Sequence, residues 1–263
     1  MIRHYPSIAA LCDVYEAKSR AESAGNAWYN DESRATTIAR TRNGDTALVP
    51  DAEAILAQLN TDISVPRCTW ERAPAGAFCA VPDVLAGLPT PMRRLAHTMD
   101  ERAPITILAT TTSSAGVDAK TLAKRGTVIL ALVLALSRLR PVVLRQLTAL
   151  DGKDNGETII TADINTTPLD LATACYVLTS AGFARRVTYG VAEYINDFTG
   201  GWPRSYRYGS PAQYFARLVP RLGLDPRHTL VIGSAEKHDQ LLTQPVAWVN
   251  SQIAQFTQEQ EQE

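Results

Sequence analysis

Charge of one sign is missing from this sequence: 26 Lys and Arg stand against 27 Asp and Glu in 263 residues, a formal net charge of -1. So near neutrality there is no global field to hold the chain on DNA, RNA or an anionic membrane, and any nucleic-acid contact must come from a local patch. Long apolar runs are missing too. The longest, residues 127–136, is about half of the roughly 20 residues that a bilayer-spanning helix needs, and Ser137-Arg138-Leu139-Arg140 follows it. It reads as a buried helix. The opening Met1-Ile2-Arg3-His4-Tyr5-Pro6 lacks the apolar stretch of a signal peptide. Cysteine is sparse: Cys12, Cys68, Cys79 and Cys175 lie far apart with no CxxC pair, and three have apolar neighbours, which reads as free thiols in a reducing compartment. The expectation is a cytoplasmic protein, in host cytoplasm if viral, with no membrane partner.

Catalytic patterns are equally scarce. His4, His97, His228 and His238 show no HxxxH or HxH spacing, no serine sits in GxSxG, and neither GxxxxGK[ST] nor GxGxxG occurs. Glu236, His238 and Asp239 cluster after a late strand and could form an acid/base set or simply cap a helix. A non-enzymatic chain with no cofactor and no metal is expected.

What is present is a regular second half. Residues 105–109 read as a buried strand, 117–139 as a helix too continuously apolar for a surface position, and 141–150 as the next strand. The Asp151-Gly152-Lys153-Asp154-Asn155-Gly156 turn leads directly into a strand over 157–164, and so short a connection permits only antiparallel neighbours. Helices over 168–180 and 183–196, a strand over 228–233 and a helix over 246–256 follow. This order predicts an α/β fold: a doubly wound, mostly parallel sheet with one antiparallel strand. The first half reads differently. Helices are expected over 7–19, after a Ser7 cap, from about Asn30 to Arg42, and over 51–59, and prolines at 66, 74, 82, 89 and 91 then cut the chain into short extended pieces. Residues 1–100 are therefore expected as a mainly helical and irregular N-terminal region, and 101–263 as the α/β domain.

In doubly wound sheets ligands bind beyond the carboxyl ends of the strands, so the turn after the first strand matters most. It is Thr110-Thr111-Thr112-Ser113-Ser114-Ala115-Gly116. With the strand before it, the helix after it and the hairpin beyond, residues 104–255 resemble a von Willebrand factor A-like domain, a Rossmann-like fold whose Asp-x-Ser-x-Ser turn holds a divalent cation. The resemblance puts Thr110, Thr112 and Ser114 where Asp, Ser and Ser would stand, and Ile232-Gly233-Ser234 where another Asp is frequent. Hydroxyls alone supply no charge to offset the dehydration of a hard cation, so the ligand turn is degenerate and metal-free. Asp163 ends its strand at the wrong edge of the sheet to help. The turn could instead cradle an anion, or be a satisfied turn and cap.

A second resemblance, to a family of uncharacterised bacteriophage proteins, rests on Trp28 with Glu32-Ser33 and Ala39-Arg40, then Ala115-Gly116-Val117, Arg125-Gly126, Pro168-Leu169-Asp170 and Arg185-Arg186. That family has glycines after the Trp, where this chain has Tyr29-Asn30. Some phage proteins of this kind are similar to transcription accessory factors that bind single-stranded DNA and recruit an RNA polymerase. The implied partners are single-stranded DNA or RNA and a phage or host protein such as an RNA polymerase.

The residues independently suggest where such a ligand would sit. Residues 200–209 interleave Trp202, Tyr206 and Tyr208 with Arg204 and Arg207 between glycines, and Arg185 and Arg186 lie upstream. Aromatic faces stack on unpaired bases while arginines neutralise phosphates, a mixture suited to single strands; the same composition also suits a protein interface. Lys120, Lys124 and Arg125 in the first turns of the long helix oppose its macrodipole, which a phosphate partner or a solvated edge would explain. Arg125-Gly126 could instead be structural, the glycine allowing close approach of helix to sheet.

Overall fold

The computed structural model describes residues 1–19, 25, 27–59, 69–96, 103–113, 116–152, 156–166, 168–196, 205–206, 212–235 and 239–258. The chain opens with β1 (Ile2–Tyr5) and α1 (Ile8–Lys18), then α2 (Arg34–Asn43) and α3 (Val49–Leu56). Local chemistry sets these ends. Ser7 Oγ accepts from the Ala10 amide at 3.1 Å and Ser33 Oγ from the Thr36 amide at 3.1 Å, each satisfying a donor that the helix leaves orphaned. Gly44, at φ 75°, stops α2 as a left-handed C-terminal residue.

The expected α/β succession follows: β5 (Ile105–Thr110), α5 (Ala119–Ser137), β6 (Val142–Gly152), β7 (Gly156–Ile164), α6 (Leu171–Thr179), α7 (Thr188–Asn196), β8 (Ser205–Tyr206), α8 (Ala212–Ala216), β9 (Thr229–Ile232), α9 (Gln240–Thr243) and α10 (Pro245–Gln258). The main sheet runs β1-β7-β6-β5-β9. β6 and β9 flank β5 in parallel, and β7 pairs antiparallel to β6 with Gly152 opposite Gly156, the hairpin that the short turn demanded. β1 pairs parallel to β7. It is a short, exposed edge strand, and its polar Arg3 and His4 gave no apolar alternation to find.

This pairing also moves the expected division at residue 100. Ile8, Leu11 and Tyr15 of α1 and Val49, Ala52 and Leu56 of α3 share one core with Ile107, Leu144, Ile160 and the centre of α5, so α1 and α3 belong to the α/β body. α5 meets α3, α6, α9 and α10 as well as β5 and β6, which is why its middle is apolar on every side. On the other sheet face, Leu108, Leu147, Ala149 and Ile159 are covered by Phe215, Leu218 and Val219, in and after α8. Helices thus lie on both faces, unequally.

The proline-broken stretch holds a second sheet. Here β2 (Thr69–Ala73), β3 (Phe78–Cys79) and β4 (Met92–Ala96) pair antiparallel in the order β2-β4-β3, and α4 (Val81–Leu85) follows β3. Among the described residues, no helix is long and apolar enough to cross a membrane. Cys12 and Cys175 are buried free thiols, as expected of small apolar residues, whereas Cys79 is exposed.

Candidate functional site

The strand order places the switch point of the main sheet between β5 and β9, the crevice where sheets of this kind hold ligands. A residue of the chain itself fills it. The β5–β9 ladder stops at Ala109 opposite Ile232 and, among the described residues, resumes only as one bridge, Ser113 with Ala235. In the gap between, the Arg125 guanidinium, reaching from α5, donates to the Thr110 carbonyl at 3.0 Å and to the Gly233 carbonyl. Thr112 Oγ1 and Ser234 Oγ meet across the same gap at 3.4 Å. Burial lowers the Arg125 pKa to about 10, opposed by the charge of Asp239, so the group remains a cation at neutral pH.

Around this staple lies a buried polar cluster. Gln146 Nε2 donates to Thr111 Oγ1 at 3.1 Å and to Thr148 Oγ1 at 2.5 Å, while Thr110 Oγ1, Ser113 Oγ and Gln146 Oε1 are buried without a partner among the described residues. Asp118 caps α5 by accepting from the Thr121 amide at 2.6 Å, so a carboxylate already occupies the helix N-terminus where an anion would sit. Ser114 lies outside the described residues. The turn is therefore organised around an organic cation.

Arg185 and Arg186, expected on a nucleic-acid surface, are interior residues. They sit in a π-helical turn, residues Phe183–Val187, and are 4% and 1% exposed. The Arg185 guanidinium lies 3.9 Å from the Trp28 ring centroid and donates to the Trp28 carbonyl at 2.8 Å and to the Val117 carbonyl. Arg186 lies 3.8 Å from the Tyr29 centroid. Aromatic faces attract these cations most strongly where water is excluded. The next two residues, Asn30 and Asp31, have φ of 56° and 58°, left-handed conformations that glycine adopts freely and Asn or Asp tolerate. Glu32, 7% exposed, then accepts from Tyr176 Oη at 2.7 Å and from Thr37 Oγ1 at 3.3 Å, and pairs with Arg40 at 3.1 Å. Burial first, and the Glu32 charge second, hold the Tyr176 phenol far above its ordinary pKa.

Of the cationic residues expected on a surface, Arg125, Arg185 and Arg186 are thus withdrawn, their charges spent on carbonyls and rings. Lys120 and Lys124 are exposed. Trp202, Arg204, Arg207 and Tyr208 lie outside the described residues, but the backbone of Ser205 and Tyr206 is the strand β8, antiparallel to β6 at Asp151 and Leu150. β5 leaves β6 at Leu147, so β8 takes up the free edge of β6 about 10 Å further toward the carboxyl end. Asp239 caps α9, accepting from the Leu241 amide at 3.1 Å, while Glu236 and His238 lie outside the described residues.

One constellation has no sequence signature because it joins residues 157 positions apart. His4 Nδ1 lies 3.0 Å from Thr161 Oγ1 and its Nε2 3.4 Å from Asp163 Oδ2, and Arg145 Nε donates to Asp163 at 2.6 Å. A hydroxyl, an imidazole and a carboxylate in a row suggest a nucleophile and base, yet Thr161 is completely buried, so its hydroxyl cannot meet a substrate. The row clasps β1 to β7. Asp163 stands opposite Arg145 near the start of β6, at the edge away from the turn, and no metal-holding group of His, Cys, Asp or Glu occurs among the described residues.

Fold and site together define a Rossmann-like α/β protein with a switch point closed by its own guanidinium. Within that class, the chain belongs to the family described as Domain of unknown function (DUF7192), whose model matches residues 1–242. No curated protein and no solved structure matches it.

Proposed function

We propose that this protein is a non-enzymatic binding protein that holds single-stranded nucleic acid along the carboxyl edge of its main sheet and engages a partner protein, such as a phage or host RNA polymerase, in transcription or replication. The observation that carries the reading is β8. It ties residues 205 and 206, the middle of the aromatic and arginine stretch, to the sheet edge from which α5 starts, and the first turns of α5 expose Lys120 and Lys124. Exposed cations beside that edge, with an aromatic and arginine stretch of the sequence tied to it through β8, suit a flexible strand better than a duplex. The closed switch point supports a surface ligand over a buried small molecule. The phage setting and the polymerase rest on the resemblance in the sequence.

Fluorescence anisotropy of a labelled deoxyoligonucleotide, titrated from about 50 to 300 mM salt, tests the reading. Lys120→Ala/Lys124→Ala lowers the salt slope by about 1.4, at about 0.7 per phosphate contact on a single strand. Trp202→Ala weakens binding roughly 5- to 150-fold through lost stacking, at about 1–3 kcal/mol. Absence of binding by the parent at the lowest salt, or equal binding by both variants, overturns the proposal.

A further inference from the structure

The small sheet and α4 carry an open apolar surface. Among their residues with described side chains, only Ala73 and Asp83 are buried, and Asp83 is held by Arg72 at 3.1 Å and Arg93 at 3.2 Å. Among the described side chains, the buried carboxylate is thus satisfied by arginines of the sheet itself. Five large apolar residues of β3, α4 and the turn after it are exposed: Phe78, Val81, Val84, Leu85, by 83%, and Leu88 make up five of the eight exposed large hydrophobics among the described residues. None of the three hydrophobic clusters formed by described residues draws on this sheet beyond its bounds or within them. A sheet of two or three short strands needs an apolar face covered to be stable in water.

We propose that this face is a self-association surface, occupied by the same face of a second copy of the chain. Area favours it. The five side chains expose roughly 500 Å² together, taking on the order of 150–250 Å² for a full side chain of this kind. With the apolar share of an interface near 60%, that corresponds to roughly 800 Å² per partner, the size of a standard stable interface. Charge permits it. Residues 69–96 carry Arg72, Arg93 and Arg94 against Glu71 and Asp83, and two of these arginines already share Asp83, so two copies meet without a strong field of one sign. A patch paired with itself about a two-fold axis closes at two copies, which hides the apolar residues without propagating a fibre.

The inference is independent of the nucleic-acid reading. Its test is the mass of the full chain in solution, by light scattering after gel filtration and by sedimentation velocity, from about 1 to 100 µM. The parent is expected at twice the 28.6 kDa of one chain. Val81→Asp/Leu85→Asp is expected at the single-chain mass, with a dissociation constant raised on the order of 100-fold or more. A milder Val81→Thr/Leu85→Gln variant is expected to weaken pairing in the same direction, and far-UV circular dichroism of both variants reports folding. A parent at single-chain mass throughout overturns the proposal, whether or not a different protein binds the patch, and so does a folded aspartate variant that stays paired. Single-strand binding per chain, measured on the same variants, fails or survives separately.

Discussion

Gly126→Ala is the sharpest test of how the α/β body is packed, because two effects of known size push in opposite directions. Gly126 lies inside α5, where alanine is preferred over glycine by about 1 kcal/mol, so local propensity predicts stabilisation. Packing predicts the reverse. A Cβ at this position would stand 2.1 Å from the Leu178 carbonyl oxygen, 2.4 Å from its carbon and 2.8 Å from Thr179 Cα. All three are backbone atoms of α6, which no rotamer change can move aside. Van der Waals contact requires the two helices to part by about 1 Å, in a core where neighbouring α5 residues are completely buried. Overpacking of this kind costs about 3 kcal/mol, leaving a net loss near 2 kcal/mol. At about 2–4 °C per kcal/mol for a chain of this size, the expected Tm falls by about 4–8 °C. Thermal melts with urea titrations measure it. An unchanged or raised Tm refutes the close approach of α5 and α6.

Three further outcomes follow from buried and half-buried polar groups. Arg125→Met keeps much of the side chain's length but leaves the Thr110 and Gly233 carbonyls without their donor, and a loss of about 2–4 kcal/mol is expected in the urea midpoint; a loss under about 1 kcal/mol would mean that the staple is redundant. Tyr176→Phe removes a donor from buried Glu32 at a cost of about 1–3 kcal/mol near neutrality. It also changes the alkaline limb: a phenol with a raised pKa stabilises the fold fully below pH 10 and progressively less as pH rises above it, so the variant's stability should fall less steeply there, and identical slopes would contradict the assignment. Glu193 has its carboxyl pKa raised by desolvation, which disfavours the ionised form, so Glu193→Gln should raise Tm at pH 7 and lose that advantage below about pH 4.5, where the parent is protonated too; equal gains at both pH values would sink the idea.

How much of this could be read from residues alone depends on whether a signal is local. The continuous apolar centre of α5, the buried run of β5 and the short turn between β6 and β7 are each local, and each emerges in the structure with the expected type and orientation. β1 is also contiguous, but an exposed edge strand of four residues has no apolar period, and its partner lies more than 150 residues away. The short extended pieces expected between the prolines, such as 77–81, do include strands, but no local signal shows that β2, β3 and β4 pair into one sheet. A structural role for Gly126 is one of the two readings its sequence allows, but the surface it approaches is α6 and not the sheet. Burial of the arginines was least legible, since a charged residue is exposed by default. The one available hint was the frame around them: Phe183-Ala184 and Val187 leave Arg185 and Arg186 no polar helix face, and Trp28-Tyr29 supplies two adjacent rings elsewhere in the chain.

That frame bears on where binding residues should be sought. Trp28, Glu32, Arg40, Arg125, Gly126, Arg185 and Arg186 carried the phage-family resemblance as separate short motifs, and the structure joins them to one another or to the same helices. Arg185 bridges Trp28 to the residue before the α5 cap, Glu32 ties α2 to α6, Arg125 ties α5 to β5 and β9, and Gly126 sets the distance between α5 and α6. These residues hold elements in place, and substituting them would lower stability before it altered any ligand contact. A variant that loses single-strand binding through Arg185 or Arg125 would therefore say little about the interface unless its melting curve were unchanged. The informative substitutions are at positions with no interior work: Lys120 and Lys124 on the main sheet's edge for nucleic acid, and Leu85 on the small sheet for a second chain.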